Sequence, residues 1–384
     1  ATQNLAELRA TGGLLGSFAL IQIENGHVKL LKAGADKELL AKGPVDFSTY
    51  PEDIRSLWGA DLADWRDFGV SAHVPYTASL IKAGYKQKFG VDVDGVVFLG
   101  QGELAKLLGA TGGLNIWGQK IDATNAVTFL TKTIYARYPN VDKKNAFVST
   151  LMSQLLPKLS SPSLNLKGLL TASINDTTGD EPFMWAADQA QQKVIQQLGI
   201  SGEVSDAPGP NVIVSVNNGG GNKLDAYFTA AAAYAQGKCG VPTADGLAGR
   251  ASHVSITLRN GAPKHGLPAY VNPRLDLDWG QSYVPGSNRE IVTVYAPANS
   301  TDNGMLLDGK EADFVAGLDR GHPVYVFDVE LLPGQTRTLT VNFIEPVVSD
   351  KGVAVSGRPS LRVTPMIARP TTSITTSGEC PVAG

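Results

Sequence analysis

A carboxylate and a guanidinium two residues apart are the first side chains of this sequence that could do chemistry. Glu7 and Arg9 stand just before a glycine pair, and an apolar run, 14–23, follows them. The run predicts a buried strand, and α/β proteins bind ligands where such strands end. A surface ion pair beside a loop is the simpler alternative, since such pairs are common and contribute little.

A second segment, 61–76, is dense in polar and aromatic side chains. It contains Asp61, Asp64, Trp65, Arg66, Asp67, His73 and Tyr76. Glu7 with Asp67 or Asp64 could flank a glycosidic bond, one carboxylate acting as acid and the other as nucleophile or base. Arg9 beside Glu7 favours the ionised form, which suits a nucleophile. The aromatic rings of the segment could stack on sugar faces, although a core role is an equal alternative.

Other chemistries find little support in the sequence. The five histidines are scattered without zinc-binding spacing, so we expect no zinc site and no cofactor. A Mg²⁺ site on Asp64 and Asp67 stays an alternative, although acidic residues this close usually form a solvated loop. No G-x-S-x-G elbow occurs. The loop 219–223 lacks phosphate-loop spacing and predicts a tight turn or a sugar-binding loop.

Length and charge limit the class of protein. The chain has 384 residues, which is more than one core usually serves, so we expect two domains. Its net charge is -3 and its basic residues form no runs, so we expect no nucleic-acid partner. No apolar run is as long as a membrane span. No signal peptide is visible, and removal of one would explain the abrupt start.

The two cysteines and the polar composition point outside the cytoplasm. Few basic residues, many Ser, Thr, Asn and Gly residues and a polar tail, 373–381, are typical of a secreted or cell-envelope protein. In that setting we expect a disulfide between Cys239 and Cys380, which would tie the tail to the body. Two unrelated buried thiols are the alternative.

Hydrophobic patterns divide the chain near residue 205. Strand and helix patterns alternate over 1–205, which predicts a layered α/β domain that carries the catalytic residues. The predicted helices are 51–58, 77–89, 102–108, 123–138, 143–159, 164–172 and 184–198. Over 206–384 short alternating strands follow one another between Gly, Pro and Asn, which predicts an antiparallel β-sandwich with a polar tail.

Several motifs resemble those of a large actinobacterial family of envelope domains of unknown function, which is distantly related to the LytR-CpsA-Psr glycopolymer transferases. The most specific is the opening Asn4-Leu-Ala-Glu-Leu-Arg-Ala-Thr-Gly-Gly13 with Gly16-Ser-Phe18. The others are Val70-Ser-Ala-His-Val-Pro75, Val93-Asp-Gly-Val-Val97, Leu107-Leu-Gly-Ala-Thr-Gly112, Val216-Asn-Asn-Gly-Gly-Gly-Asn-Lys-Leu224 and the strand 254–260. The resemblance spans nearly the whole chain.

This resemblance implies a LytR-CpsA-Psr-like α/β domain and a role in the cell envelope, with an arabinan-type polysaccharide as the partner. The catalytic candidates are Glu7, Asp67 and Asp64. The candidates for substrate contact are Asn4, Arg9, Trp65, Arg66, His73, Tyr76, Asn217 and Lys223.

The sequence departs from the family pattern in three places. Asp67 stands where the family usually has Asn, and His73 where it usually has Asp, so polar roles in this segment are exchanged. The family also has an apolar strand upstream of its first motif, whereas this chain starts inside the motif. Two explanations are open: the chain is processed or truncated at this point, or another segment supplies the strand. A membrane anchor or a partner segment upstream of residue 1, or an oligomer, is compatible with this.

Three functions follow from these observations. The first is cleavage or transfer at a glycosidic bond by a carboxylate pair, and the sequence favours it because carboxylates outnumber cations near the suspected site. The second is a LytR-CpsA-Psr-type phosphotransferase that uses Mg²⁺, which needs several cations around a diphosphate. The third is a non-enzymatic surface-binding or assembly subunit that receives its missing strand from a partner.

Overall fold

The computed structural model describes residues 1–384 except 26, 41–42, 49, 161–181, 247, 279, 348–354, 356, 379 and 381–384. The chain opens with an antiparallel three-stranded sheet in the order β1-β2-β3. These strands are β1 (Thr2–Arg9), β2 (Gly12–Glu24) and β3 (His27–Ala35). The predicted hairpin is confirmed, and the segment that carries Glu7 and Arg9 is itself a strand.

The glycine pair after β1 lets the first two strands approach closely. Gly12 has a φ of 130°, and a side chain on Gly13 would put its Cβ 2.4 Å from the backbone of Asn4. The register between β1 and β2 shifts between Asn4 and Leu8, so residues 5–7 form a bulge. A bulge re-aims the side chains it contains, and Glu7 is one of them.

Helices surround this sheet. They are α1 (Asp36–Leu40), α2 (Glu52–Trp58), α3 (Val74–Phe89), α4 (Gln101–Ala110), α5 (Ala126–Thr128), α6 (Ile134–Arg137), α7 (Val141–Leu155) and α8 (Gln189–Gln197). The turn Phe129–Thr133 between α5 and α6 is π-helical. Three-residue or longer 3-10 turns are Gly59–Ala63, Trp65–Asp67, Leu156–Ser160 and Leu224–Tyr227.

Two predicted helices need comment. The prediction of helix from residue 184 is wrong at its start, because β7 (Met184–Ala186) pairs with β4 (Gly95–Val97) instead. Asp188 then begins α8 by accepting a hydrogen bond from the amide of Gln191, the cap that helices favour. The predicted helix 164–172 lies outside the described residues. A second short hairpin joins β5 (Leu114–Ile116) and β6 (Gln119–Ile121).

The second half of the chain is a β-sandwich. Its strands are β8 (Asn211–Asn218), β9 (Phe228–Pro242), β10 (Ala248–Asn260), β11 (Asn288–Tyr295), β12 (Thr301–Leu307), β13 (Lys310–Glu311), β14 (Val315–Asp319), β15 (His322–Leu331), β16 (Thr336–Pro346), β17 (Ser360–Val363) and β18 (Thr371–Thr376). One sheet has the order β13-β12-β16-β10-β9-β18 and the other β14-β15-β11-β8-β17. Inward side chains of both sheets form one core. The predicted class, an α/β part followed by a β-sandwich, is confirmed.

The sandwich differs from the prediction in the direction of two strands. β17 runs parallel to β8, and β18 runs parallel to β9, whereas the other pairs of these sheets are antiparallel. Each of the two sheets is therefore completed by a strand from the C-terminal part of the chain. Parallel neighbours need long connections, and here the connections span the rest of the sandwich.

The two halves share side chains across their boundary. Leu5 and Leu8 of β1 belong to the core of the sandwich. In return, Leu224 and Ala226 pack with the helices of the first half. Each fully buried leucine contributes about 2 kcal/mol, so β1 acts as the structural joint between the halves.

The predicted disulfide between Cys239 and Cys380 is present. It ties the residues after β18 to β9. Half-buried sulfurs receive contacts from the Arg250 guanidinium, whose Nε lies 3.1 Å from Sγ of Cys380. None of the described helices has the length and apolar character that crossing a bilayer requires.

Candidate functional site

Glu7 lies in the bulge of β1 and is 4% exposed. One of its carboxylate oxygens contacts the ammonium group of Lys223, and the other lies 3.4 Å from Nη2 of Arg9. Both cations are themselves buried. A buried carboxylate is stable only when it is paired, and two cations pair this one. Both carboxylate oxygens of Glu7 are therefore engaged by cations of the protein.

Arg9 connects Glu7 to the half-buried Asp67. Its Nε and Nη2 lie 3.0 and 2.6 Å from Oδ1 of Asp67, and its Nη1 donates to the carbonyl of Leu8 at 2.7 Å. Burial works against the charge of Arg9, but Glu7, Asp67 and Asp225 outweigh it and raise the pKa of the guanidinium. The two predicted catalytic carboxylates thus share one cation.

A fully buried polar layer lies under β1. Asp225 accepts a hydrogen bond from the amide of Leu8 at 2.6 Å. It also accepts from the side-chain amides of Asn218 at 2.9 Å and Asn288 at 2.6 Å. These bonds anchor the backbone of β1 beside Glu7 to the sandwich strands β8 and β11.

Glu290 is the second carboxyl group of this layer. Burial, followed by the charge of Asp225 and a hydrogen bond to it, raises the pKa of Glu290 well above its ordinary value. Its Oε1 accepts from Asn288 at 2.5 Å, while Oε2 has no partner among the described residues. A protonated Glu290 can donate a hydrogen bond to Asp225, which an ionised Glu290 cannot do. The two carboxyl groups therefore titrate as a coupled pair.

Two asparagines predicted to bind substrate have structural partners. Asn217 accepts from the amide of Ala10 at 2.8 Å and donates to the carbonyl of Val70 at 3.2 Å. Asn4 donates to the hydroxyl of Tyr135 at 2.9 Å. Asn217 thus fixes the end of β1, and Asn4 connects β1 to the helices.

A stacked tyrosine pair and two lysines border the cluster. The rings of Tyr135 and Tyr270 are 5.8 Å apart at 25°. Nζ of Lys144 lies 4.6 Å and Nζ of Lys223 5.8 Å from the centre of the Tyr270 ring, both within cation–π range. Asn4, Tyr135 and Lys144 also line a cavity of about 100 Å³ with apolar walls on α4 and α7.

In the segment 61–67 one predicted residue, Asp67, belongs to the cluster. Three others, Asp64, Trp65 and Arg66, hold the turn beside it. Asp64 caps a 3-10 turn, accepting from the amide of Arg66 at 2.8 Å, and pairs with the Arg66 guanidinium at 2.7 Å. Trp65 is 2% exposed, and its indole donates to the carbonyl of Leu15 at 2.9 Å. Its ring is core, so it presents no face to a sugar. Only Asp67 reaches Arg9.

His73 and Tyr76 lie in a different neighbourhood. Nδ1 of His73 accepts from the amide of Val204 at 3.0 Å, and its ring packs 4.5 Å from that of Tyr76. Burial first, then the charges of Arg320 and Arg362, lowers the pKa of His73 to about 2. The ring is neutral, and neither side chain joins the hydrogen-bond network of Glu7 within the described part of the chain.

Sequence reasoning missed four polar residues in or beside the cluster, which are Tyr135, Lys144, Asp225 and Glu290. The sequence does hold a signal for Glu290, because a carboxylate at an inward position of an apolar strand needs a partner.

No group of three or more His, Cys, Asp or Glu side chains that could hold a metal ion occurs in the described ranges. Asp64 and Asp67, the pair considered for Mg²⁺, are each engaged by an arginine.

Comparison with known proteins gives one family and no function. Residues 1–135 match a family described as a protein of unknown function (DUF4012). This agrees with the prediction of a family of unknown function for the first third of the chain, and the role in the cell envelope stays a prediction. The matched family is not that of the LytR-CpsA-Psr transferases, so that relationship stays a prediction. No curated protein matches the chain.

Solved structures overlap the chain only locally. A candidate nutrient-binding protein of Legionella pneumophila has 9% identity and a TM-score of 0.22, and the overlap covers 38% of this chain and 46% of that one. Leukotriene A4 hydrolase of Saccharomyces cerevisiae has 14% identity and a TM-score of 0.17, over 32% of this chain and 15% of that one. This chain thus spans less than half of each protein, and such low TM-scores support no conclusion about function.

Proposed function

We propose that this protein acts on a cell-envelope polysaccharide, cleaving or transferring a glycosidic bond with a carboxylate pair. The observation that supports this best is the shared cation: Glu7 and Asp67 both lie within 3.4 Å of Nη2 of Arg9. Glycosidases likewise use two carboxyl groups about 5 to 10 Å apart, one on each side of the scissile bond. The polymer class, an arabinan, follows from the family resemblance alone.

The two carboxyl groups have different roles in this proposal. Glu7 is paired with Lys223 and Arg9, and in this proposal it acts as the nucleophile or general base. Asp67 is bound to the same arginine and its side chain is 29% exposed, so a substrate meets Asp67 first. Asp67, the second carboxylate of the pair, takes the role of the acid in this proposal.

The disulfide supports the location that this function requires. Cys239 and Cys380 are bonded, and such bonds persist outside the reducing cytoplasm. We place the protein outside the cytoplasm, secreted or bound to the envelope, where its polysaccharide partner lies.

The test is incubation of the purified protein with an arabinan-containing envelope polysaccharide, followed by mass spectrometry of the products. Oligosaccharides are expected with and without EDTA, because the proposed groups need no metal. Glu7→Gln removes the nucleophile and is expected to lower the rate at least a thousandfold, whereas Asp64→Asn, outside the pair, keeps most of it. An active Glu7→Gln protein would overturn the assignment of Glu7.

One observation favours a second candidate, the phosphotransferase. Nζ of Lys144 and Nζ of Lys223 lie 4.6 and 5.8 Å from the centre of the Tyr270 ring, and neighbouring cations would suit a diphosphate with Mg²⁺. This candidate predicts transfer from a lipid-linked pyrophosphate that stops when EDTA is added. The same assay therefore separates the two candidates.

A further inference from the structure

A cleft of about 400 Å³ lies beside β17, away from the Glu7 cluster. Its walls include Phe183, Ser201, Arg362, Pro370 and Thr372. None of the residues that form the Glu7 network lines it. The volume falls in the range of small-molecule sites, and the walls combine apolar rings with two arginines, Arg362 and Arg369, and two hydroxyls.

Arg362 is the unusual residue of this cleft. Its Nη1 donates to the carbonyl of Glu203 at 3.2 Å and its Nη2 to the carbonyl of Ala72 at 2.7 Å. Both acceptors are neutral, and no carboxylate lies within ion-pair distance of Arg362 in the part of the chain that the structure describes. Burial therefore lowers the pKa of Arg362 to about 10.

Two buried arginines of this protein, Arg274 and Arg9, have counter-ions, whereas the buried Arg250 is bonded to the disulfide and to the carbonyl of Gly378. Arg274 is bound by Asp276 at 2.7 Å and by Glu330 at 2.8 Å. Arg9 is bound by Asp67. A partly buried guanidinium without a counter-ion costs free energy, which an anion in the cleft would recover. The fork of Arg362 still has N–H groups to offer, because only two are used.

The carboxylate of Glu203 also borders the cleft and would repel an anion. Both of its oxygens accept hydrogen bonds from the side-chain amide of Gln196 at 2.9 Å, and one also accepts from Gln192 at 2.9 Å. These amides of α8 hold and partly neutralise it. Arg362 contacts only the backbone of Glu203, so its charge remains available to a ligand.

We propose that this cleft is a second binding site, which takes a small organic anion on the Arg362 guanidinium. The ligand carries a carboxylate or a phosphate ester, the groups that arginine recognises best. Ser201 and Thr372 hydrogen-bond its polar body, and Phe183 and Pro370 pack against its apolar face. The site binds independently of the glycan reaction proposed above.

Isothermal titration of the full chain with sodium glucuronate and with inorganic phosphate tests this proposal, against sodium chloride at equal ionic strength. Saturable binding of at least one probe is expected, and the probe that binds tells whether a carboxylate or a phosphate is preferred. Heats that match those of chloride would overturn the site.

Two variants locate the bound anion. Thr372→Trp fills the cleft from the exposed strand β18 and leaves both hydrogen bonds of Arg362 intact, so it is expected to weaken binding at least tenfold. Ser373→Trp, on the opposite face of the same strand, is the matched control and should bind like the wild type. Arg362→Gln should also lose binding, and since it loses two hydrogen bonds, its folding is checked by circular dichroism. Unchanged binding by Thr372→Trp would overturn the assignment.

Discussion

Arg9 and Arg362 are two arginines in opposite surroundings. Arg9 lies in a closed cluster with Glu7 and Asp67, where carboxylates raise its pKa. Arg362 faces an open cleft and bonds only to carbonyl groups, so burial lowers its pKa. The first cluster satisfies its own charges, whereas the second depends on water or a ligand. The same residue type therefore has two roles in this protein: Arg9 connects buried carboxylates, whereas Arg362 keeps a charge that no carboxylate of the described chain neutralises.

The largest effect should come from opening the closed cluster. Lys223→Met removes one of the two cations that neutralise Glu7 and leaves a buried carboxylate short of charge. We expect a loss of about 3–5 kcal/mol in the free energy of unfolding, as is typical when one partner of a buried ion pair is removed. Denaturant unfolding followed by circular dichroism measures it.

Arg362→Met is the matched change in the open cleft. It leaves no carboxylate without a cation and only two carbonyl groups without a donor. The expected loss in the free energy of unfolding is therefore smaller, about 1–3 kcal/mol. Equal losses in the two variants would show that the contrast between the clusters is not electrostatic.

The next effect depends on pH. The folded protein keeps the proton of Glu290 to a higher pH than the unfolded chain, whose ordinary value is 4.5. The wild type therefore loses stability as pH rises above that value, while Glu290→Gln cannot ionise and does not. Each pKa unit of difference is worth about 1.4 kcal/mol.

Unfolding of the wild type and of Glu290→Gln at about pH 5 and about pH 8 checks this sign. The stability of the variant relative to that of the wild type is expected to increase towards the higher pH. A gain towards the lower pH instead would mean that Glu290 is ionised in the folded protein.

The smallest effects lie at the edge of the closed cluster. Asp67→Asn weakens the bond to the buried Arg9 and is expected to cost about 1–2 kcal/mol. Asp64→Asn removes a more exposed pair with Arg66 but keeps the cap, since Asn caps helices as well as Asp, and should cost about 0–1 kcal/mol. Thermal unfolding of both variants compares the two losses of stability. A larger loss in Asp64→Asn than in Asp67→Asn would mean that Asp64 belongs to the cluster.

Local patterns predicted most of the fold. The apolar alternation of the sandwich strands and the helical spacing of α3 and α7 are short-range signals, and both were sufficient. The strand β1 was not predicted, because its bulge breaks the alternation around Glu7. The parallel pairing of β17 and β18 depends on partners far away in sequence, and no local pattern encodes it.

The sequence predicted the charged residues of the site but not the buried polar layer that lies under β1. Glu7, Arg9 and Asp67 were singled out by residue type, and they do lie together. Asp225 and Glu290 needed the pairing of β8 with β11 to bring them together. Trp65 was misjudged as a ligand group, because a tryptophan in a polar segment can still turn inward to the core.

The parallel strands β17 and β18 also set the order in which the sandwich assembles. Ser360 hydrogen-bonds Asn211, which is 149 residues earlier in the chain, and β18 pairs with β9 in the same manner. A chain that emerges from its N-terminus first cannot complete either sheet until these late strands arrive. Closing such long loops slows folding, and until then the edges of β8 and β9 stay open to other chains. We therefore expect both sheets of the sandwich to be completed only after β17 and β18 have paired.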